Sequence, residues 1–241
     1  MISEIKDSIS NEFITERIPP RFLIKFGAEE HLRMLQQGKL YMNSWQYFKA
    51  CEKHDERTDT NEGVHFCINP SKTRILIADR ILSREGGTLN ATVAFFDKKT
   101  KIFCASALWN NDEVKTDEIF DHRIKDFGDA FIVIMDIKGF FRKLSCSLKN
   151  LHLDSKIETS DARRVRYFDE DSYDGEVGPF RKTLQYAHQR EWRLAIQTAQ
   201  ENDEPFILNI GSIENICMLG KTKNFKNAVD SKIENCLSFL F

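Results

Sequence analysis

The chain of 241 residues is 41% hydrophobic, with 35 basic and 37 acidic side chains and a net charge of −2. That size and apolar share support a packed core without disulfide or metal staples, and exclude a disordered or fibrous chain. The near-even charge balance excludes the global basic field that drives non-specific nucleic-acid binding, so any such contact needs a local patch.

Residues 1–18 space Ile2, Ile5, Ile9 and Phe13 at roughly helical intervals, which predicts an amphipathic lead-in helix ending before Pro19-Pro20. Charges are scattered where a signal peptide needs an apolar core, and no later run approaches the roughly 18 apolar residues of a membrane span. The expectation is a cytoplasmic protein with no membrane contact. The six cysteines lie far apart, without a C-x-x-C pair, and read as free core thiols.

Phe22 to Phe26 forms a strand pattern closed by Gly27, Glu29 to Gln37 a helix ending at Gly38, and Lys39 to Ser44 a second strand. An aromatic stretch, Trp45 to Phe48, runs into the charged segment Glu52 to Glu62. Further strand patterns follow at 64–68, 74–77, 92–96, 101–108 and 130–135, after which Ile137 to Arg142 opens a helix over the sheet. Arg163 to Phe168 reads as a strand, Lys182 to Gln189 as a helix, and Glu191 to Ile196 as the most apolar late strand. Two apolar runs, 206–210 and 213–219, precede an amphipathic helix at about 223–238. The pattern predicts one α+β domain over 1–241 with a mixed sheet flanked by helices; the resemblance named below implies that this sheet is split.

Phosphate loops of the G-x-x-x-x-G-K-[ST] type, G-x-G-x-x-G, H-E-x-x-H and G-x-S-x-G are all absent, which argues against the common NTPases, Rossmann enzymes, zincins and α/β-hydrolases. Asp97 with Glu113-Val114-Lys115 is a formal match to a metal-dependent nuclease, but its second half lies in a polar stretch where that chemistry wants a rigid strand. More informative is Glu191 at the mouth of an apolar strand, with Gln189 two positions upstream and Trp192 and Arg193 alternating across its faces. A carboxylate fixed there can accept a ribose hydroxyl and stabilise an oxocarbenium-like centre; an edge-strand ion pair with a nearby arginine explains it equally well. Lys25, Phe26, Gly27, Tyr41, Asn43, Ser44 and Tyr47 place polar and aromatic groups at the ends of two neighbouring strands. Tyrosines there can stack a flat ring and Gly27 can let a backbone approach a ligand; Phe26 reads first as core.

With those residues in place, a resemblance can be named. Strand–helix–strand carrying Lys25-Phe26-Gly27 and Leu40 to Ser44, followed late by the Glu191 strand, resembles the split NAD-binding core of ADP-ribosyltransferases, including bacterial toxins that modify nucleic acid. The stretches Phe22 to Gly63 and Glu191 to Arg193 also resemble uncharacterised bacterial proteins linked to phage defence. The transferase resemblance implies NAD as co-substrate and no metal. It maps the family's strand glutamate to Glu191, its second-strand serine or tyrosine to Ser44 or Tyr41, and its first-strand arginine or histidine to Lys25, where lysine departs from the pattern. Arg163, Arg164 and Arg166 near Tyr167 and Phe168, and His188, Arg190 and Arg193 around Glu191, form basic–aromatic clusters suited to single-stranded RNA or DNA, ahead of protein, as acceptor. An inhibitory antitoxin-like partner is implied by the toxin resemblance. The alternative from another class is a non-catalytic nucleotide- or partner-binding module of a defence system.

Overall fold

A computed structural model describes residues 19–44, Tyr47, 64–68, 76–77, 80–81, 91–94, 98–109, Arg123 and 126–228. The lead-in helix, the charged segment 52–62 and the nuclease-type residues Asp97, Glu113 and Lys115 lie outside them, as does most of the C-terminal helix, of which 225–228 are helical.

The elements in chain order are β1 (Phe22–Gly27), α1 (Glu29–Gln36), β2 (Lys39–Ser44), β3 (Val64–Ile68), β4 (Leu76–Ile77), β5 (Arg80–Ile81), β6 (Ala91–Ala94), β7 (Thr100–Leu108) and β8 (Ala130–Ile134), followed by α2 (Ile137–Leu153). After it come β9 (Ile157–Arg164), β10 (Arg166–Phe168), β11 (Gly175–Glu176), β12 (Arg181–Thr183), β13 (Glu191–Thr198), β14 (Phe206–Asn209) and β15 (Cys217–Lys221). Strands dominate and the fold class is α+β. The main sheet is an open antiparallel one rather than mixed; the parallel pair among the described strands is β10 with β12, outside that sheet.

β7 organises the main sheet. One of its edges pairs with β13 along its length, from Glu191 opposite Ser106 to Gln197 opposite Thr100, and β13 pairs in turn with β9. Its other edge is divided. The C-terminal half takes β1 (Phe22 opposite Leu108, Ile24 opposite Ser106), and the N-terminal half takes β2 (Asn43 opposite Ile102, Ser44 opposite Lys101). From there β1 leads to β8 and β15, and β2 to β14. One edge of β7 is thus shared by two partners, β1 and β2. Backbone groups between them lose their ladder partners, and the Lys25 ammonium caps one by donating to Cys104 O at 2.6 Å.

Strand alternation sorts the faces. Leu23, Leu40, Met42, Phe103, Trp192 and Leu194 share a core with Leu32 and Leu35 of α1 and with Phe140, Phe141 and Leu144 of α2. Asp136 caps α2 by accepting the Gly139 N–H at 2.8 Å. A second cluster on the other face holds Phe22, Ile24 and Phe26 of β1, Phe131 and Val133 of β8, Leu108 of β7, and Phe225.

The turn after α1 rests on two glycines placed back to back. Gly38 has φ +86° and a Cβ there would run into the Gly211 carbonyl; Gly211 itself has φ +75°. Gly38 O also accepts the Ile210 N–H at 2.8 Å. Gly38→Ala therefore combines left-handed strain with a backbone clash and should cost about 1–3 kcal/mol. A urea titration reads this directly, and an unchanged midpoint would mean that the turn relaxes freely.

Candidate active site

Glu191 opens β13 beside the C-terminal half of β7. It is 7% exposed and both carboxylate oxygens are engaged: Oε1 accepts from Lys182 Nζ at 2.8 Å and Oε2 from Arg193 Nε at 2.6 Å. Lys182 Nζ also donates to Gln189 Oε1 at 2.7 Å and lies 4.9 Å from the Tyr186 ring centre. The Arg193 guanidinium reaches Pro179 O at 2.8 Å through Nη1. From the other side, the Glu191 backbone N–H donates to the Tyr167 hydroxyl at 2.9 Å.

Burial alone would raise the Glu191 carboxyl, but the Arg193 and Lys182 charges and their hydrogen bonds outweigh it and hold the group well below the usual carboxylate range. The neighbouring Tyr167 phenol is pushed well above its ordinary value, first by burial and then by the Glu191 charge, and stays protonated. The result is a rigid, ionised carboxylate flanked by a lysine, an arginine and a neutral phenol.

Lys182 and its neighbours are not helical, contrary to the periodicity of 182–189. β12 is a three-residue strand parallel to β10, and Leu184–Gln189 forms a 3-10 turn. The turn ends on Arg190 in the left-handed region, φ 47° and ψ 44°, a conformation few non-glycine residues adopt. This geometry brings Gln189 and Glu191 to the same lysine. Sequence spacing shows the Gln189-x-Glu191 alternation, but Lys182 is hidden by the helical pattern and Tyr167 by the basic cluster around it.

The residues expected to hold NAD divide between the two faces. Lys25 follows Leu23 onto the helix-covered face, with its ammonium 4.8 Å from the Phe103 ring centre as well as on Cys104 O. Ser44 is buried with Leu40 and Met42, and its Oγ accepts the Tyr47 N–H at 3.2 Å. Glu191 and Arg193 alternate with Trp192 and Leu194 and so belong to the opposite face, as do Tyr41 and Asn43 in relation to Met42. Lys25 and Glu191 are therefore not brought together. Phe26 is a core residue, 4.9 Å from the Phe225 ring, and Gly27 packs its backbone against Gly128. Tyr41 and Tyr47 are exposed, and the Tyr41 ring lies parallel to His31 at 6.5 Å.

The basic residues are also distributed. Arg163 and Arg193 are register partners, as are Arg164 and Trp192, so the two consecutive arginines project to opposite faces of the β9 edge. Arg163 stacks on Phe180 at 4.4 Å and pairs with Asp161, whereas Arg164 lies 5.2 Å from the Trp109 ring centre. Arg166 is exposed on β10, and His188 Nδ1 lies 3.0 Å from Gln185 O within the 3-10 turn. Among the described residues there is no cluster of three or more His, Cys, Asp or Glu able to hold a metal, and no helix long and apolar enough to cross a membrane. Cys104, Cys146 and Cys217 are free thiols.

Comparison with known proteins yields no matching family model, no matching curated protein and no matching solved structure.

Proposed function

We propose that the chain is an NAD-dependent ADP-ribosyltransferase, a toxin or defence effector that modifies a macromolecule, nucleic acid before protein. The observation that carries this reading is the convergence of Gln189 and Glu191 on Lys182 at the opening of β13, which keeps a carboxylate ionised and fixed where the central strands end. In the proposed reaction the bond between nicotinamide and the ribose anomeric carbon breaks and nicotinamide leaves with the electron pair. An acceptor nucleophile then bonds to that carbon and loses its proton. Glu191 stabilises the cationic sugar as it forms, an electrostatic role that demands rigid placement. The reading draws on Glu191 and Gln189, with Tyr41 and Asn43 on the same face, and leaves Lys25 and Ser44 to the architecture of the main sheet.

A second reading, a nucleotide- or partner-binding module without turnover, is favoured by the engagement of both Glu191 oxygens and by a side chain only 9% exposed. The deciding experiment incubates the full chain with radiolabelled NAD and separate pools of RNA, DNA and cell protein, beside Glu191→Gln checked for folding by its melting temperature. Label should enter one pool and fall by about a hundredfold or more in the variant, the usual cost of removing a group that stabilises transition-state charge. Absence of both label transfer and nicotinamide release in the folded wild type would overturn the transferase reading and leave the binding module or the metal-dependent nuclease.

A further inference from the structure

Helix α2 carries four of the chain's 35 lysines and arginines, Lys138, Arg142, Lys143 and Lys149, and none of its 37 acidic residues. The helix is therefore +4 in a chain whose remainder is −6, the local patch that a near-neutral protein needs to meet a polyanion. Helical periodicity puts Lys138, Arg142, Ser145 and Lys149 on one stripe about 16 Å long, and its three charged residues are exposed. The opposite face, with Phe140, Phe141, Leu144 and Leu148, belongs to the core.

Two features set this stripe apart from an ordinary solvated helix face. Lys138 lies in the first turn and Arg142 one turn later, so two like charges sit at i, i+4 beside the positive end of the helix dipole, an arrangement unfavourable to the helix itself. Helix α1 shows the usual one: Glu29 and Glu30 open it, and Arg33 pairs with Glu29 at i, i+4. The second feature is that the four cations of α2 have no ion-pair partner among the described residues, whereas Lys98, Lys99, Lys156 and Lys221 each meet a carboxylate. Charges kept together against the preference of the helix, and without internal counter-ions, are complementary to an anion from outside the fold.

We propose that the outer stripe of α2 docks the phosphate backbone of a nucleic acid. Its charges are unevenly spaced along the axis, about 6 Å from Lys138 to Arg142 and about 10 Å from there to Lys149. A backbone charged at every nucleotide meets such a row without needing a register. Phe140 and Phe141 are buried, so α2 offers no ring on which a base could stack, and the contact is to the backbone and independent of sequence. Apart from Leu153 at its end, the large apolar side chains of α2 are turned into the protein, which leaves no apolar face to enter a lipid surface. Trp192 and Leu194 pack beneath α2 on the face of β13 away from Glu191, so the stripe and Glu191 lie on opposite sides of the sheet. Docking there does not rest on NAD turnover.

Fluorescence anisotropy of the full chain with a labelled single-stranded RNA and a labelled DNA duplex of equal length, at several salt concentrations, tests this. At least one probe should bind. In the triple variant Lys138→Gln, Arg142→Gln, Lys149→Gln the affinity should fall tenfold or more, and the slope of log K against log salt should shrink by about 2–3, roughly one per cation removed. Arg142→Lys should bind like the wild type, because a point charge suffices, and so should Lys98→Gln, which removes a cation elsewhere. The triple variant should melt no lower than the wild type, since the charges removed oppose the helix; a clearly lower melting temperature would make them structural and overturn the proposal. Failure of both probes to bind below millimolar concentration, unaltered affinity in the triple variant, or equal stripe-dependent capture of polyglutamate or of phosphatidylserine vesicles also overturns it. Loss of NAD turnover in Glu191→Gln with these affinities intact bears on the transferase reading alone.

Discussion

Replacing Glu191 by leucine is expected to cost about 3–5 kcal/mol of folding stability, because the change leaves the Lys182 ammonium and the Arg193 guanidinium buried together without the carboxylate that separates them. Glu191→Gln keeps two polar atoms in place and should lose less. The sign of the pH dependence follows from the depressed carboxyl. The unfolded chain, with an ordinary glutamate pKa of about 4.3, takes up this proton first as pH falls. The stability that Glu191 contributes is therefore fully present above that pH and is lost progressively below it, through the folded-state value. Urea titrations at pH 7 and at steps below pH 4.5 should show the wild type losing stability with a steeper slope than Glu191→Gln. Parallel slopes would mean that the carboxylate titrates alike in both states, and would remove the electrostatic basis assigned to this residue.

One position further along β13, Trp192→Ala should cost a similar amount, about 3–5 kcal/mol, for an unrelated reason. The indole is 1% exposed and packs at 5.5 Å from the Phe141 ring and 6.3 Å from Phe140, so truncation opens a cavity between the sheet and α2. This loss should be the same at pH 7 and pH 4, since no charge is involved. A Trp192→Phe variant should recover most of it. If Trp192→Ala altered the acid limb as Glu191→Gln does, the two faces of β13 would be energetically coupled and the separation drawn between them would fail.

Periodicity locates most of the strands, and α2 is correctly predicted to open at Ile137, because those segments are buried on at least one face and their apolar spacing shows it. It fails where burial is one-sided and polar. The first half of β9, Ile157 to Asp161, is an edge segment with few apolar residues, so the predicted strand begins six residues late. The 182–189 segment looks helical from its residue types, yet tertiary contacts override that preference: Lys182 is drawn in by Gln189 and Glu191, and the chain turns in a tighter 3-10 form. The glutamate of the candidate site is legible because a charge at the start of an apolar strand is conspicuous. Its lysine and its tyrosine come from separate parts of the chain, and no local pattern connects them. The opposition of Lys25 and Glu191 across the sheet is likewise invisible until the register of β7 with its three neighbours is known.

The division of one β7 edge between β1 and β2 also has a consequence during synthesis on the ribosome. Once β7 emerges, β1 and β2 are already available to occupy its divided edge, but the edge that belongs to β13 stays without its partner until roughly eighty more residues have been made. At about 5–20 residues per second that interval is on the order of ten seconds, during which a long apolar strand offers open backbone groups to neighbouring nascent chains. Recombinant yield should therefore depend on translation speed and on holdase chaperones more than the stability of the finished sheet would suggest.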